Sequence, residues 1–133
     1  MTKIIISIFF FSTFLLNASE LKIVVKDIQV GKGNIVVEIY SNDSNFFKKP
    51  LITKTVKATN QSLDFTFVVH DGIYAVAAYQ DINENGKLDK GWFNIPKEPY
   101  GLSNNYRPSF SAPTFDDCKF KVEQLTTILI KLK

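Results

Sequence analysis

The 133-residue chain holds one cysteine, one tryptophan, one histidine and one arginine. Each scarcity removes a class of chemistry. A lone Cys118 excludes an internal disulfide framework. In the run Asp116–Val122, alternation puts it on the side of Phe120 and Val122, away from Lys119 and Lys121, so a buried core thiol is expected. The lone His70 stands beside Asp71-Gly72 at the end of an alternating run and reads as a solvent-facing turn residue. A hydrolytic triad needs a serine and a carboxylate brought to such a histidine, and nothing in the sequence places them. Catalysis is therefore not expected. Charge of one sign is also lacking: without Lys3, the 16 basic residues fall to 15, against 13 acidic. These charges are scattered, which argues against a nucleic-acid partner. The single arginine, Arg107, lies in a loop, where its fork suits it to clamp carbonyl or carboxylate oxygens.

What is present begins with a leader. Lys3 precedes an uncharged, largely apolar run from Ile4 to Leu16, and Asn17-Ala18-Ser19 supplies small residues for cleavage. This is the pattern of a secretory signal peptide, too short to span a bilayer comfortably. It predicts a leader over 1–18, a single mature domain over 19–133, and a periplasmic or secreted product with no membrane span. No cysteine follows the apolar run, which argues against a lipid anchor.

The mature part reads as strands. Leu21, Ile23 and Val25 alternate with Lys22 and Lys26, and Ile35, Val37 and Ile39 with Val36, Glu38 and Tyr40, with Gly31-Lys32-Gly33-Asn34 turning between them. An antiparallel hairpin is expected from this pair of runs. Phe46 and Phe47 sit in a polar loop, and at least one should plug the end of the core. Ile52–Ala58 carries Lys54 and Lys57, which suit a sheet edge. Leu63–Val69 alternates cleanly, and the uncharged run Ile73–Tyr79 fits a central strand covered on both faces. Phe115–Glu123 and Leu125–Lys133 read as the last two strands, the latter with Ile128, Ile130 and Leu132 facing inward. Seven strands are thus expected, in an all-β Greek-key sandwich of immunoglobulin-like or transthyretin-like form. A small closed barrel is the alternative.

Directly after the central strand comes Asp81-Ile82-Asn83-Glu84-Asn85-Gly86-Lys87-Leu88-Asp89. Oxygen side chains at alternate residues of a tight loop suit a hard cation such as Ca²⁺. Asp81, Asn83 and Asn85 take positions one, three and five of the helix-loop-helix calcium motif. Gly86 takes the sharp turn, Lys87 offers a backbone carbonyl, and Asp89 stands at the water-mediated ninth position. The match breaks at position twelve, where Trp92 replaces the bidentate glutamate. A further carboxylate would come from Glu98, Asp116 or Asp117; the last two, adjacent on an expected strand, should point to opposite faces. With two charged ligands the dissociation constant should be on the order of 10⁻⁴ to 10⁻³ M. The metal-free reading is a pair of Asx-turns around Asn85-Gly86.

The stretch Lys90–Thr114 has no sustained alternation, contains four prolines, and is rich in aromatics. Trp92, Tyr100, Tyr106 and Phe110, with Asn94, Asn104 and Asn105, offer a surface to stack on sugar rings or grip a peptide. The competing reading is a satellite core beneath an ordered loop.

Taken together, Tyr74-Ala75-Val76, the loop from Asp81 to Asp89, and the run Ile95-Pro96-Lys97-Glu98-Pro99-Tyr100-Gly101-Leu102-Ser103-Asn104-Asn105 resemble an uncharacterised family of exported bacterial proteins, a domain of unknown function. The resemblance spans roughly Leu21 to Lys133. It implies a small exported β-sandwich, usually of Gram-negative bacteria, and implies no activity. Gln80 stands where a histidine is frequent and Asn94 where a glycine is frequent. The Gln80 departure weakens a catalytic or transition-metal site. The expectation is an exported, non-catalytic β-sandwich that binds Ca²⁺ weakly through the Asp81 loop. The alternative is an adhesion module that binds a surface glycan or protein through Trp92–Phe110.

Overall fold

The computed structural model describes residues 18–133. The apolar leader lies outside the described residues, except Ala18, which opens the first strand.

Eight strands form two packed sheets of three and five. The chain runs β1 (Ala18–Lys26), β2 (Asn34–Tyr40), β3 (Ile52–Lys57), β4 (Leu63–His70), β5 (Gly72–Asp81), β6 (Tyr100–Leu102), a one-turn helix α1 (Phe115–Cys118), β7 (Phe120–Val122) and β8 (Leu125–Lys131). The smaller sheet has the order β4-β1-β8, and the larger β3-β2-β5-β6 with β7 also on β5. This is the expected all-β sandwich, and β4 returns to lie beside β1 as a Greek-key connection does. On one side the sheets are joined, because Tyr100 and Lys133 exchange two backbone hydrogen bonds of 3.1 Å. Among the described residues β3 and β4 are not paired on the other side, so the barrel alternative does not close.

Alternation placed most strands correctly. β4 buries Phe65, Phe67 and Val69 and exposes the residues between. β3 is an edge strand and β5 is buried along nearly its whole length. The side chains of Leu21, Ile23, Val25, Ile35, Val37, Ile39, Val76 and Ile130 meet between the sheets as the main core. Phe46 is buried and Phe47 is not, but Phe46 packs in a second cluster and not at the end of the main core. No helix among the described residues is long and apolar enough to cross a membrane.

Three expectations are corrected. β1 and β2 do not form a hairpin: β1 pairs antiparallel with β4 and parallel with β8, while β2 pairs with β3 and β5. The segment between them arches from one sheet to the other, and the two apolar faces meet across the core instead of lying side by side. The run Phe115–Glu123 is not one strand. Thr114 and Asp117 form a capping box that starts α1, and only Phe120–Val122 is extended. Asp116 and Asp117 therefore sit in the first turn of a helix, not on opposite faces of a strand. The total is eight strands rather than seven, because Tyr100–Leu102 forms a short strand inside the stretch expected to have none.

A second apolar cluster lies on the outer face of the larger sheet. Tyr40, Phe46, Ala75, Ala77, Leu102, Phe115 and Cys118 form it, with Tyr100 and Tyr106 packed against it. Cys118 is fully buried here, and burial pushes its thiol up to about 12. That is an inert packing thiol.

Candidate functional site: the Asp81 loop and the hairpin it carries

β5 ends at Asp81, which is buried. Its neighbour Gln80 is fully buried too. Gln80 Nε2 donates to the carbonyls of Gln29 (2.7 Å) and Lys32 (2.6 Å), and its Oε1 accepts from Gln29 N–H (2.9 Å). Three backbone groups of the β1–β2 arch are thereby satisfied by one amide, which explains a buried glutamine without invoking catalysis. Gly33 in the same arch has φ +65°, and a Cβ there would collide with the Asp81 carbonyl. The arch thus holds the root of the loop.

Within the loop Asp81, Asn83 and Asn85 accept from backbone N–H groups, and Asp89 from side-chain amides. Asp81 Oδ2 accepts from Gly86 N–H (2.7 Å) and Oδ1 from Asn85 N–H (3.2 Å). Asn85 Oδ1 accepts from Lys87 N–H (3.2 Å), and Gly86 takes the positive φ of 80° that the turn requires. Asn83 Nδ2 donates to Asp89 Oδ2 (2.5 Å) and Asn85 Nδ2 to Asp89 Oδ1 (2.7 Å). These two amides, Asn85 first, hold the Asp89 carboxyl below its ordinary value, and Lys87 and Lys97 add to the effect. Asn83, Asn85 and Asp89 therefore converge side chain to side chain. Asp81 joins them only through the backbone, and the Lys87 side chain is exposed.

Of the three carboxylates considered as completing this loop, Glu98 reaches it. It is 8% exposed, and its two oxygens accept from Ile82 N–H (3.0 Å) and Asp89 N–H (3.1 Å). Asp117 is taken by Thr114, and Asp116 by Lys119. Glu98 acts as a brace across the base of the loop, joining its first and last turns. Sequence reasoning named Glu98 but could not give it this role, because its partners are backbone groups.

From Asp89 the chain leaves the brace as a small hairpin and returns at Lys97, whose N–H donates to the Asp89 carbonyl (2.8 Å). Lys90 and Pro96 pair, and Gly91 N–H donates to the Ile95 carbonyl (2.8 Å). At the tip Ile95 N–H donates to the Trp92 carbonyl (3.2 Å). Phe93 and Asn94 between them have φ of 57° and 58°. Two successive left-handed residues make a type I′ turn, which favours asparagine and glycine and not phenylalanine. Trp92 is 86% exposed, Phe93 92% and Ile95 63%.

The remaining residues of the aromatic stretch divide. Tyr100 and Tyr106 pack into the second cluster, while Phe110 is exposed. Asn104 Nδ2 donates to the Lys119 carbonyl (3.0 Å). Asn105 bonds Leu129 O and Lys131 N–H, and so covers the open edge of β8. Ser103 accepts from Val76 N–H (2.9 Å) and donates to the Cys118 carbonyl (2.5 Å). Arg107 clamps as expected: it donates to the carbonyls of Tyr100 (2.8 Å) and Lys131 (3.3 Å) and lies 4.6 Å from the Tyr100 ring centre. The asparagines thus serve structure, and the exposed aromatics are those of the hairpin tip and Phe110.

The fold and this region define a small all-β sandwich whose one long connection is a hydrogen-bonded mount for an aromatic hairpin. Residues 23–129 match the family described as "Uncharacterized protein conserved in bacteria (DUF2141)", and the chain belongs to that family. No curated protein and no solved structure matches it.

Proposed function

We propose that this protein is an exported, non-catalytic binding module that presents the tip of the Asp89–Lys97 hairpin to a partner protein or a surface glycan. The observation that carries this reading is the tip itself. Trp92, Phe93 and Ile95 stand exposed together within four residues. Contiguous exposed apolar side chains mark interaction surfaces, and tryptophan is enriched where partners dock. Phe93 holds a left-handed backbone that costs a bulky L-residue about 1 kcal/mol. Strain of this kind gathers where a side chain must be displayed. Export rests on the leader pattern over 1–18 and directs the module to the periplasm or the exterior. The test is retention of cell-envelope proteins and glycans on the immobilised protein, beside Trp92→Ala and Phe93→Gly. Retention by the wild type, lost in both variants, is expected. Equal retention by all three would overturn the reading.

A second reading has its own observation. Asn83, Asn85 and Asp89 converge on one point, and their oxygens are of the kind a hard cation selects. Weak Ca²⁺ binding there would need both amides to turn their oxygens toward the centre, with the Lys87 carbonyl and Asp81 completing the set. Calcium would replace the amide hydrogens that now neutralise Asp89. Melting in excess EDTA and in millimolar Ca²⁺ tests it. A midpoint raised by roughly 3 to 8 °C at ten times the dissociation constant is expected, and it should vanish in Asp81→Ala. Superimposed melts would leave a metal-free turn.

A further inference from the structure

The outer face of the larger sheet carries a hollow that the hairpin tip does not line, although Gly86, Lys87 and Leu88 of the loop form part of its wall. Ala77 on β5 lies directly between Glu38 on β2 and Leu102 on β6. In the next row Tyr79 stands opposite Tyr100. A side chain that ends at Cβ, set among tyrosines, leaves a cleft of about 220 Å³ with Tyr40, Tyr79 and Tyr100 in its lining. This is below the usual span of pockets for drug-sized ligands, and roughly one sugar ring is the scale it suits.

The polar groups around the hollow are of two kinds. Inside, Glu38 is half-buried and accepts the Tyr40 hydroxyl at 2.6 Å. Outside, Lys48, Lys87 and Lys90 border the opening and are exposed. The ion pairs of the described residues are Lys22–Asp64, Lys119–Asp116 and Lys121–Glu123, so none of them engages Glu38 or these lysines.

This distribution selects a ligand chemistry. Tyr40 and Tyr79 are buried, and Tyr100, half-buried, is the tyrosine that offers part of its ring to a guest. An acceptor-only carboxylate within the hollow suits hydroxyl donors and repels an anionic group. Unpaired lysines at the opening attract that anionic group and hold it at the rim. A purely apolar guest leaves the Glu38 oxygen not bonded to Tyr40 without a donor, and a neutral sugar leaves the lysines unused. We propose that the cleft binds one residue of an acidic sugar, a hexuronate, with its hydroxyls toward Glu38 and its carboxylate toward Lys48 and Lys87. The site shares no residue with the hairpin tip and does not rest on the function proposed for it.

The experiment is a titration of the protein with sodium glucuronate, glucose and inorganic phosphate, followed by amide chemical shifts. Glucuronate should shift residues of β2, β5 and β6 around Ala77 and bind at least about fivefold more tightly than glucose, the scale of two exposed ion pairs. Lys48→Ala with Lys87→Ala, both exposed and tolerant of change, should remove that advantage while leaving glucose binding unaltered. Glu38→Gln should weaken both sugars. Trp92→Ala should change nothing, which separates this site from the hairpin reading. The proposal is overturned if neither sugar binds, if glucose binds as tightly as glucuronate, or if phosphate displaces glucuronate and produces the same shifts. A preference for glucuronate over glucose that survives the double lysine variant would overturn it equally.

Discussion

The Asp81 loop and the hairpin tip are a few residues apart and obey opposite rules. In the loop, the carboxylates of Asp81, Asp89 and Glu98 each have both oxygens engaged within the chain. At the tip, Trp92 and Phe93 are almost fully exposed on a turn that phenylalanine disfavours. The polar residues, which look like a site in the sequence, are spent on holding the backbone. The apolar residues, which look like core, are held out to solvent. A region whose groups are all satisfied internally is a mount, and a region whose surface is unsatisfied is where a partner gains most.

The sharpest way to break this contrast is to remove the brace. Glu98→Ala leaves the part-buried N–H groups of Ile82 and Asp89 without their acceptor and should cost about 3 kcal/mol in urea unfolding. An unchanged midpoint would show the loop to be a surface ornament. Ser103→Ala leaves the Val76 N–H and the Cys118 carbonyl unpaired and should cost about 2 kcal/mol, with no effect on binding at the tip. Phe93→Gly should act in the opposite sense. Glycine accepts φ of 57° without strain, so stability should rise by about 1 kcal/mol while partner retention falls. A destabilised Phe93→Gly would mean that the ring packs as core.

The smallest effect is a pH dependence. Asn85 and Asn83 depress the Asp89 carboxyl in the folded state, so the unfolded chain binds this proton more readily. The stabilising contribution is complete above the ordinary carboxylate value near ~4 and is lost as pH falls through it toward the depressed folded value. Melts between about pH 6 and 2.5 should fall less steeply for Asp89→Asn than for the wild type. Parallel curves would uncouple Asp89 from its two amides.

Much of the fold was legible because burial on one face writes a period of two into the sequence. Leu63–Val69 shows this plainly, while Ile52–Lys57 was readable as an edge strand from its lysines. The partnership of β1 was not legible, since Leu21, Ile23 and Val25 read the same whether their neighbour lies beside them or across the core. The helix α1 carried a readable sign, Thr114 followed three residues on by Asp117, which apolar alternation from Phe115 to Val122 obscured. In the site, the oxygen spacing of Asp81, Asn83, Asn85 and Asp89 was plain, but spacing does not say whether an oxygen faces a cation or a backbone N–H. The type I′ turn was hidden because Phe93-Asn94 lacks the Asn-Gly signature. Asn94, like glycine, accepts a left-handed backbone, so the second position of the turn fits its residue and the first does not.

Trp92 is the only tryptophan, so its emission reports on the hairpin tip alone. The most direct measurement is that emission as solubilised envelope fractions are added to the protein. Fractions that bind should move it to shorter wavelength as the indole leaves water, and Phe93→Gly should reduce the shift. A fraction that binds while Trp92 keeps the emission of an exposed indole would contradict the account.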